Sequence, residues 1–144
     1  MVGLKRTSER SFTRAMYKNK YGNRKITING IEFDSRKEAR RYNELLLMEK
    51  AGAIKGLRRQ VPFELIPAQY EDVYTGEYYQ RGDHKGEPKM KRVCVEKAVT
   101  YYADFVYLEG GETVVEDTKG FKTPEYILKR KLMRHLLGIR IKEL

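Results

Sequence analysis

A β-rich segment reverses at Gly110-Gly111, breaks at Gly120 and runs straight into a helix start at Thr123-Pro124. This stretch restricts what the chain can fold into more than any other. Arg92 to Leu108 carries Val93-Cys94-Val95 and then Thr100-Tyr101-Tyr102-Ala103-Asp104-Phe105-Val106-Tyr107. These β-branched and aromatic types suit a pleated surface. The two glycines supply a hairpin turn, and Thr113 to Lys119 reads as the return strand. Thr123 caps the following helix, with Pro124 in the first position, where a missing N–H costs nothing. Leu128, Leu132, Met133, Leu136 and Leu137 give that helix an apolar stripe, and Gly138 ends it. Ile139 to Lys142 then alternates like a last strand.

Upstream, Lys25 to Phe33 forms two short alternating runs about Asn29-Gly30, a strong hairpin signal. A helix is predicted from Ser35 to Ala51. Ala39, Tyr42, Leu45 and Leu46 share a face, Arg36, Lys37, Arg40 and Arg41 crowd its first turns, and Gly52 ends it. Gln60 to Ile66 reads as a strand, with Pro62 at a bulge or an edge. Between Pro67 and Lys91 aliphatic content falls and Gly76, Gly82, Gly86 and Pro88 interrupt any pattern. That stretch is expected to be an excursion, either a hairpin tip or a loop. The order is helix, strand, strand, strand, helix, strand, which defines an α/β domain over 26–144.

With 144 residues and 40% apolar content the chain is the size of one domain with a core of its own. No apolar run approaches the ~18 residues of a membrane span, and residues 1–10 carry no secretory pattern. A single cysteine, Cys94, excludes an internal disulfide or a cysteine-rich zinc site, and is expected to be a small buried hydrophobe. These features predict a cytoplasmic protein without membrane partners. The net charge is +10, and it is concentrated at two places. Residues 1–25 hold eight basic residues against Glu9, and residues 119–142 hold eight against Glu125. The first is expected to be a flexible basic arm, and the pair points to a polyanion partner.

The chemistry lies on the hairpin. Side chains alternate along a strand, so Asp117 and Lys119 share a face while Glu116 points away. A bulge would reverse that and make Glu116 the ligand instead. Across the turn Asp104 can lie beside Asp117, where opposed residues have Cβ atoms about 4.5–5.5 Å apart. Two carboxylates so placed repel unless a cation joins them. Magnesium takes oxygen ligands, usually one or two carboxylates with waters and phosphate oxygens. Asp104, Asp117 and the backbone carbonyl of Thr118 can supply that half-shell. Lys119 beside them suits electrostatic stabilisation rather than proton abstraction, because neighbouring carboxylates favour the ammonium form. A simple ion pair with Asp117 is the alternative. Glu38 is placed to form a capping box with Ser35. Lys122, Lys129, Lys131 and Arg134 on or near the second helix, with Arg36 and Arg40 on the first, are candidates for DNA phosphates, or else solvated helix faces. Tyr70, Tyr74, Tyr78 and Tyr79 are core residues of the excursion or platforms for unpaired bases.

Asp104 on one strand and Asp117-Thr118-Lys119 on the next, within this element order, resemble the PD-(D/E)XK nuclease superfamily. Phe33-Asp34-Ser35-Arg36-Lys37-Glu38 on the first helix adds to the likeness. With Gln60-Val61-Pro62-Phe63, Tyr102-Ala103-Asp104-Phe105 and Glu116 to Phe121, the chain looks similar to small phage-encoded endonucleases related to Holliday-junction resolvases. Ala103 stands where the motif's name has proline. The resemblance covers roughly residues 28–142. It implies a restriction-endonuclease-like αβββαβ core with a mixed central sheet flanked by two helices. It also implies Glu38 joining Asp104, Asp117 and Thr118 at the metal, Gln60 near the substrate, and Mg2+ as cofactor with Mn2+ able to substitute. The implied activity is that of an endodeoxyribonuclease cutting branched DNA as a homodimer and leaving a 5′-phosphate, in a bacterial or phage-infected cell. A recombination or end-processing nuclease and a non-catalytic basic nucleic-acid-binding protein are the other readings.

Overall fold

The structure is a computed structural model and describes residues 24–144. Its elements are β1 (Ile26–Ile28), β2 (Ile31–Phe33), α1 (Arg36–Lys50), β3 (Lys55–Ile66), β4 (Gln69–Tyr78), β5 (Pro88–Glu96), β6 (Val99–Glu109), β7 (Glu112–Asp117), α2 (Pro124–Leu137) and β8 (Lys142–Glu143). Among the described residues the chain divides after Arg36 into two units, 24–36 and Lys37–Leu144. The expected basic arm lies, up to residue 23, outside the described residues.

In the first unit β1 and β2 pair as the expected antiparallel hairpin, with Ile28 opposite Ile31. Asn29 and Gly30 have φ of 52° and 78°. Two successive left-handed residues match the right-handed twist of the flanking strands, which is why Asn-Gly marks such turns.

In the second unit a four-stranded sheet runs in the order β3-β6-β7-β8. The first three strands are antiparallel neighbours, and β8 lies parallel to β7. A parallel neighbour requires a crossover, and α2 supplies it. The result is an α/β fold with a mixed sheet and two helices. Thr123 accepts a hydrogen bond from the Tyr126 amide at 3.1 Å to open α2. Gly138, with φ 67°, closes it while its amide and that of Ile139 donate to the carbonyls of Arg134 and Met133. These bonds satisfy carbonyls that the helix end would otherwise orphan.

Each helix covers its own apolar cluster. Leu45 packs with Ile54, Phe105 and Tyr107, whereas Tyr126 and Met133 pack with Leu65, Tyr101, Ala103, Val106, Val115 and Ile141. Phe105 and Tyr107 alternate with Val106, so β6 is covered on both faces. Accordingly Ala103 to Tyr107 are all buried. Tyr101 and Ala103 have the parity of Phe105 yet join the α2 cluster, so the strand turns about its axis between Ala103 and Phe105. Asp104 sits at that point.

Several expected boundaries move. The excursion at 67–91 is an antiparallel ribbon, because β4 and β5 pair over Gln69–Tyr78 and Pro88–Glu96. The single β-segment expected from Arg92 to Leu108 is therefore two strands divided at Lys97-Ala98. Every residue of β4 is exposed, so no buried face imposed an alternating pattern that could be read in advance. Cys94 lies on this ribbon and is exposed rather than buried. β3 begins five residues earlier than expected and is an edge strand, where Pro62 forfeits no ladder bond that the sheet needs. β7 ends at Asp117, so Thr118 and Lys119 lie beyond the ladder, and β8 is shifted to Lys142–Glu143. Among the described residues no helix is long and apolar enough to cross a membrane.

Candidate functional site

The β6–β7 register sets Phe105 opposite Glu116, and one step further sets Asp104 against Asp117. The β3–β6 register, running through Arg59↔Phe105 and Val61↔Ala103, sets Gln60 on the other side of Asp104. Gln60, Asp104 and Asp117 thus form one row across three strands.

Asp117 is fully buried. Its Oδ2 accepts from the Tyr101 hydroxyl at 2.7 Å. Its Oδ1 has no hydrogen-bond partner, and the Lys119 ammonium stands 3.7 Å away, close enough to pair but too far to donate. Burial, and then the facing Asp104 charge, push the Asp117 carboxyl up to about 6 against the opposing pull of Tyr101 and Lys119. Asp104 is held from the other side: its Oδ2 accepts from both the amide and the hydroxyl of Thr118, each at 2.8 Å. Those two bonds exist because β7 stops at Asp117 and releases Thr118 to turn toward β6.

Glu38, from the first turns of α1, is also buried. The Gln60 amide reaches its Oε1 at 3.1 Å and Asp104 Oδ1 at 3.3 Å, so a single side chain bridges helix and sheet. Arg59 adds an ionic contact to Glu38 at 3.6 Å. Gln60 adopts φ 48°, a left-handed conformation that costs a non-glycine residue roughly 1–2 kcal/mol. Lys119 also lies over the Tyr126 ring at 5.5 Å and borders a cavity of about 260 Å³ walled by Tyr101, Tyr102 and Lys129.

Glu116 faces the other way. Arg41 grips it with two bonds of 2.9 and 2.7 Å, Tyr107 donates at 2.5 Å, and Lys142 stands at 3.2 Å. Burial opposes its charge, but Arg41 and Tyr107 outweigh that and hold the carboxyl below its ordinary value. Glu116, the alternative ligand, is thus engaged by Arg41, Tyr107 and Lys142 on the α1 face. The ladder has no bulge between Phe105 and Glu109 that would have reversed the faces.

The remaining candidates are dispersed. Lys129 pairs with Glu125 at 2.9 Å, and Lys122 pairs with Glu143. Lys131 and Arg134 line a groove between α2 and β8. Arg40 is exposed on α1, and Arg36 is exposed in the first unit. Tyr101, Arg41 and Arg59 were not anticipated. Each acts across elements, and no local spacing announces such a partner.

A divalent ion is the group this constellation can take. Two opposed carboxylates, one carrying an unsatisfied buried oxygen, are the donor set a hard cation seeks. Among the described residues no group of three or more His, Cys, Asp or Glu side chains is placed to hold a metal ion. Magnesium does not require one, since it retains waters and uses one or two carboxylates. Asp104 and Asp117 supply two facing carboxylates, with Glu38 one bridging amide away.

Fold and site together define an α/β protein carrying a buried acidic pair and an adjoining ammonium at the open end of a β-hairpin. The chain belongs to the family described as "Protein of unknown function (DUF1064)", whose model matches residues 18–140. No curated protein and no solved structure matches it.

Proposed function

We propose that the protein is a divalent-metal-dependent endodeoxyribonuclease with the αβββαβ core of the PD-(D/E)XK superfamily. The observation that carries this reading is the buried Asp117 carboxylate, with one oxygen unpaired, set across from Asp104 and 3.7 Å from Lys119. The order α1, β3, β6, β7, α2, β8 supports the same reading once the β4–β5 ribbon is set aside as an insertion.

Asp104, Asp117 and the Thr118 carbonyl would hold Mg2+ or Mn2+, with Glu38 joining them. When bound, such an ion would lower the pKa of a water and offset negative charge developing on the phosphoryl oxygens. Thr118 fixes the Asp104 carboxylate in one rotamer through its two bonds, and Tyr101 does the same for Asp117. Gln60 ties Glu38 to Asp104, so three acidic side chains are positioned without freedom to drift. Lys119 supplies a fixed positive charge to a phosphate entering the cavity beside it. Holliday junctions or other branched DNA are the proposed substrates, a homodimer the cutting form, and the cytoplasm the setting.

The test is incubation with four-way, flap and linear DNA in Mg2+ and in EDTA. Cutting that needs the metal and falls by about 10²-fold or more in Asp117→Asn and Lys119→Gln, with DNA binding retained, is the expected result. Preference for flap or linear DNA would move the reading to an end-processing or recombination nuclease. Binding without cutting in either metal would overturn catalysis.

A further inference from the structure

We propose that the groove between the second half of α2 and β8 is a phosphate-backbone surface that leads a nucleic-acid strand to the end of β7. The groove encloses about 640 Å³, and Arg130, Lys131, Arg134, Arg140 and Lys142 line it with one carboxylate, Glu143. That volume exceeds what one phosphate needs. Ile139 and Ile141 provide its apolar part.

The charges are not balanced within the protein. Glu143 is already held by Arg130 at 2.7 Å and by Lys122, and Lys142 turns to Glu116. Lys131, Arg134 and Arg140 make no ion pair with any described residue. Three cations converging on one groove repel one another, and a polyanion relieves that cost while releasing its own condensed counterions. Two of the three are arginines, whose planar forks match phosphate oxygens in pairs.

Position adds the second argument. In the parallel β7–β8 ladder Glu116 lies beside Lys142 and Asp117 beside Glu143, so the groove wall and the acidic site share neighbouring residues. The exposed β4–β5 ribbon competes poorly as a polyanion surface, because residues 69–96 carry six Asp and Glu against five Lys and Arg. Lys89 pairs with Glu77, and Arg92 lies opposite Asp72. The choice of nucleic acid as the polyanion rests on the nuclease reading, whereas the cationic groove itself does not.

The experiment is fluorescence anisotropy of a labelled 20-base-pair duplex and a 20-nucleotide single strand, in EDTA, with the full chain carrying Asp117→Asn. Adding Lys131→Gln, Arg134→Gln and Arg140→Gln should weaken binding on the order of 100-fold at 0.1 M salt and flatten the log K against log salt slope by ~3. The control triple Arg81→Gln, Lys85→Gln, Lys91→Gln should leave that slope within ~1. An unchanged slope in the groove variant, or an equal loss in the control, would overturn the proposal. So would displacement of the DNA by inorganic phosphate or polyglutamate at equal charge. Thermal melting of each triple confirms that the fold persists. Cutting by the parent protein is measured separately. Normal cutting with an unchanged slope sinks the groove alone, and strong groove binding with no cutting sinks the nuclease alone.

Discussion

Replacing Asp117 with asparagine should make the protein more stable at neutral pH, and the gain should vanish in acid. Asp117 is fully buried beside Asp104, and its carboxyl sits at about 6 rather than near the ordinary 3.8. The folded protein therefore binds this proton more tightly than the unfolded chain does. Stability from the group is fully present below about pH 4 and is lost as pH rises through about 6. Above pH 7 the ionised side chain costs about 3 kcal/mol relative to the protonated one. Asparagine keeps an oxygen to accept from Tyr101 and carries no charge. Thermal melts of both proteins in EDTA from pH 4 to pH 8 read the difference. The asparagine variant should pull ahead by roughly 6–12 °C across that range, at about 2–4 °C per kcal/mol for a chain of this size. Magnesium should narrow the gap at pH 8, by about 1.4 kcal/mol at tenfold its Kd, because it stabilises only the carboxylate form. A gap that stays flat from pH 4 to pH 8 would refute the argument that Asp117 is a buried, charge-opposed carboxyl.

Glu116 has the opposite sign. Its lowered value means its contribution is present above about 4.5 and is lost as pH falls through its folded value. Arg41→Met should destabilise the fold by about 3 kcal/mol in urea titrations at pH 7, because it leaves a buried charge with much less compensation. Adding Glu116→Gln should recover most of that loss, and no recovery would show that Arg41 acts through packing instead. Gln60→Gly relieves the left-handed strain at φ 48° and removes the bridge between Glu38 and Asp104. Its melting temperature should hold or rise while metal-dependent cutting falls at least tenfold, and equal losses in both would deny Gln60 a positioning role.

The local elements were legible because each is written in adjacent residues. Asn29-Gly30 and Gly110-Gly111 adopt the left-handed turns their composition demands. Thr123-Pro124 and Gly138 bound α2 as caps of their types do. The ribbon was not legible, since β4 buries nothing and leaves no alternation to read. Cys94 followed it into solvent for the same reason.

The opposition of Asp104 and Asp117 follows from counting across a two-glycine turn, so the sequence alone determined that these carboxylates would meet. Lys119 was expected beside Asp117 from strand parity, but it lies beyond the end of β7, so the turn after the strand and not parity sets its ammonium 3.7 Å from Asp117. What the sequence left open was which surroundings each charge would find. Only the tertiary structure turned Glu116 into a partner of Arg41, 75 positions away, and left an oxygen of Asp117 unpaired. Only it brought Gln60 between Glu38 and Asp104. Partners distant in sequence meet through helix packing and strand order, and the balance of burial and charge that sets a carboxylate's chemistry is a sum over all of them.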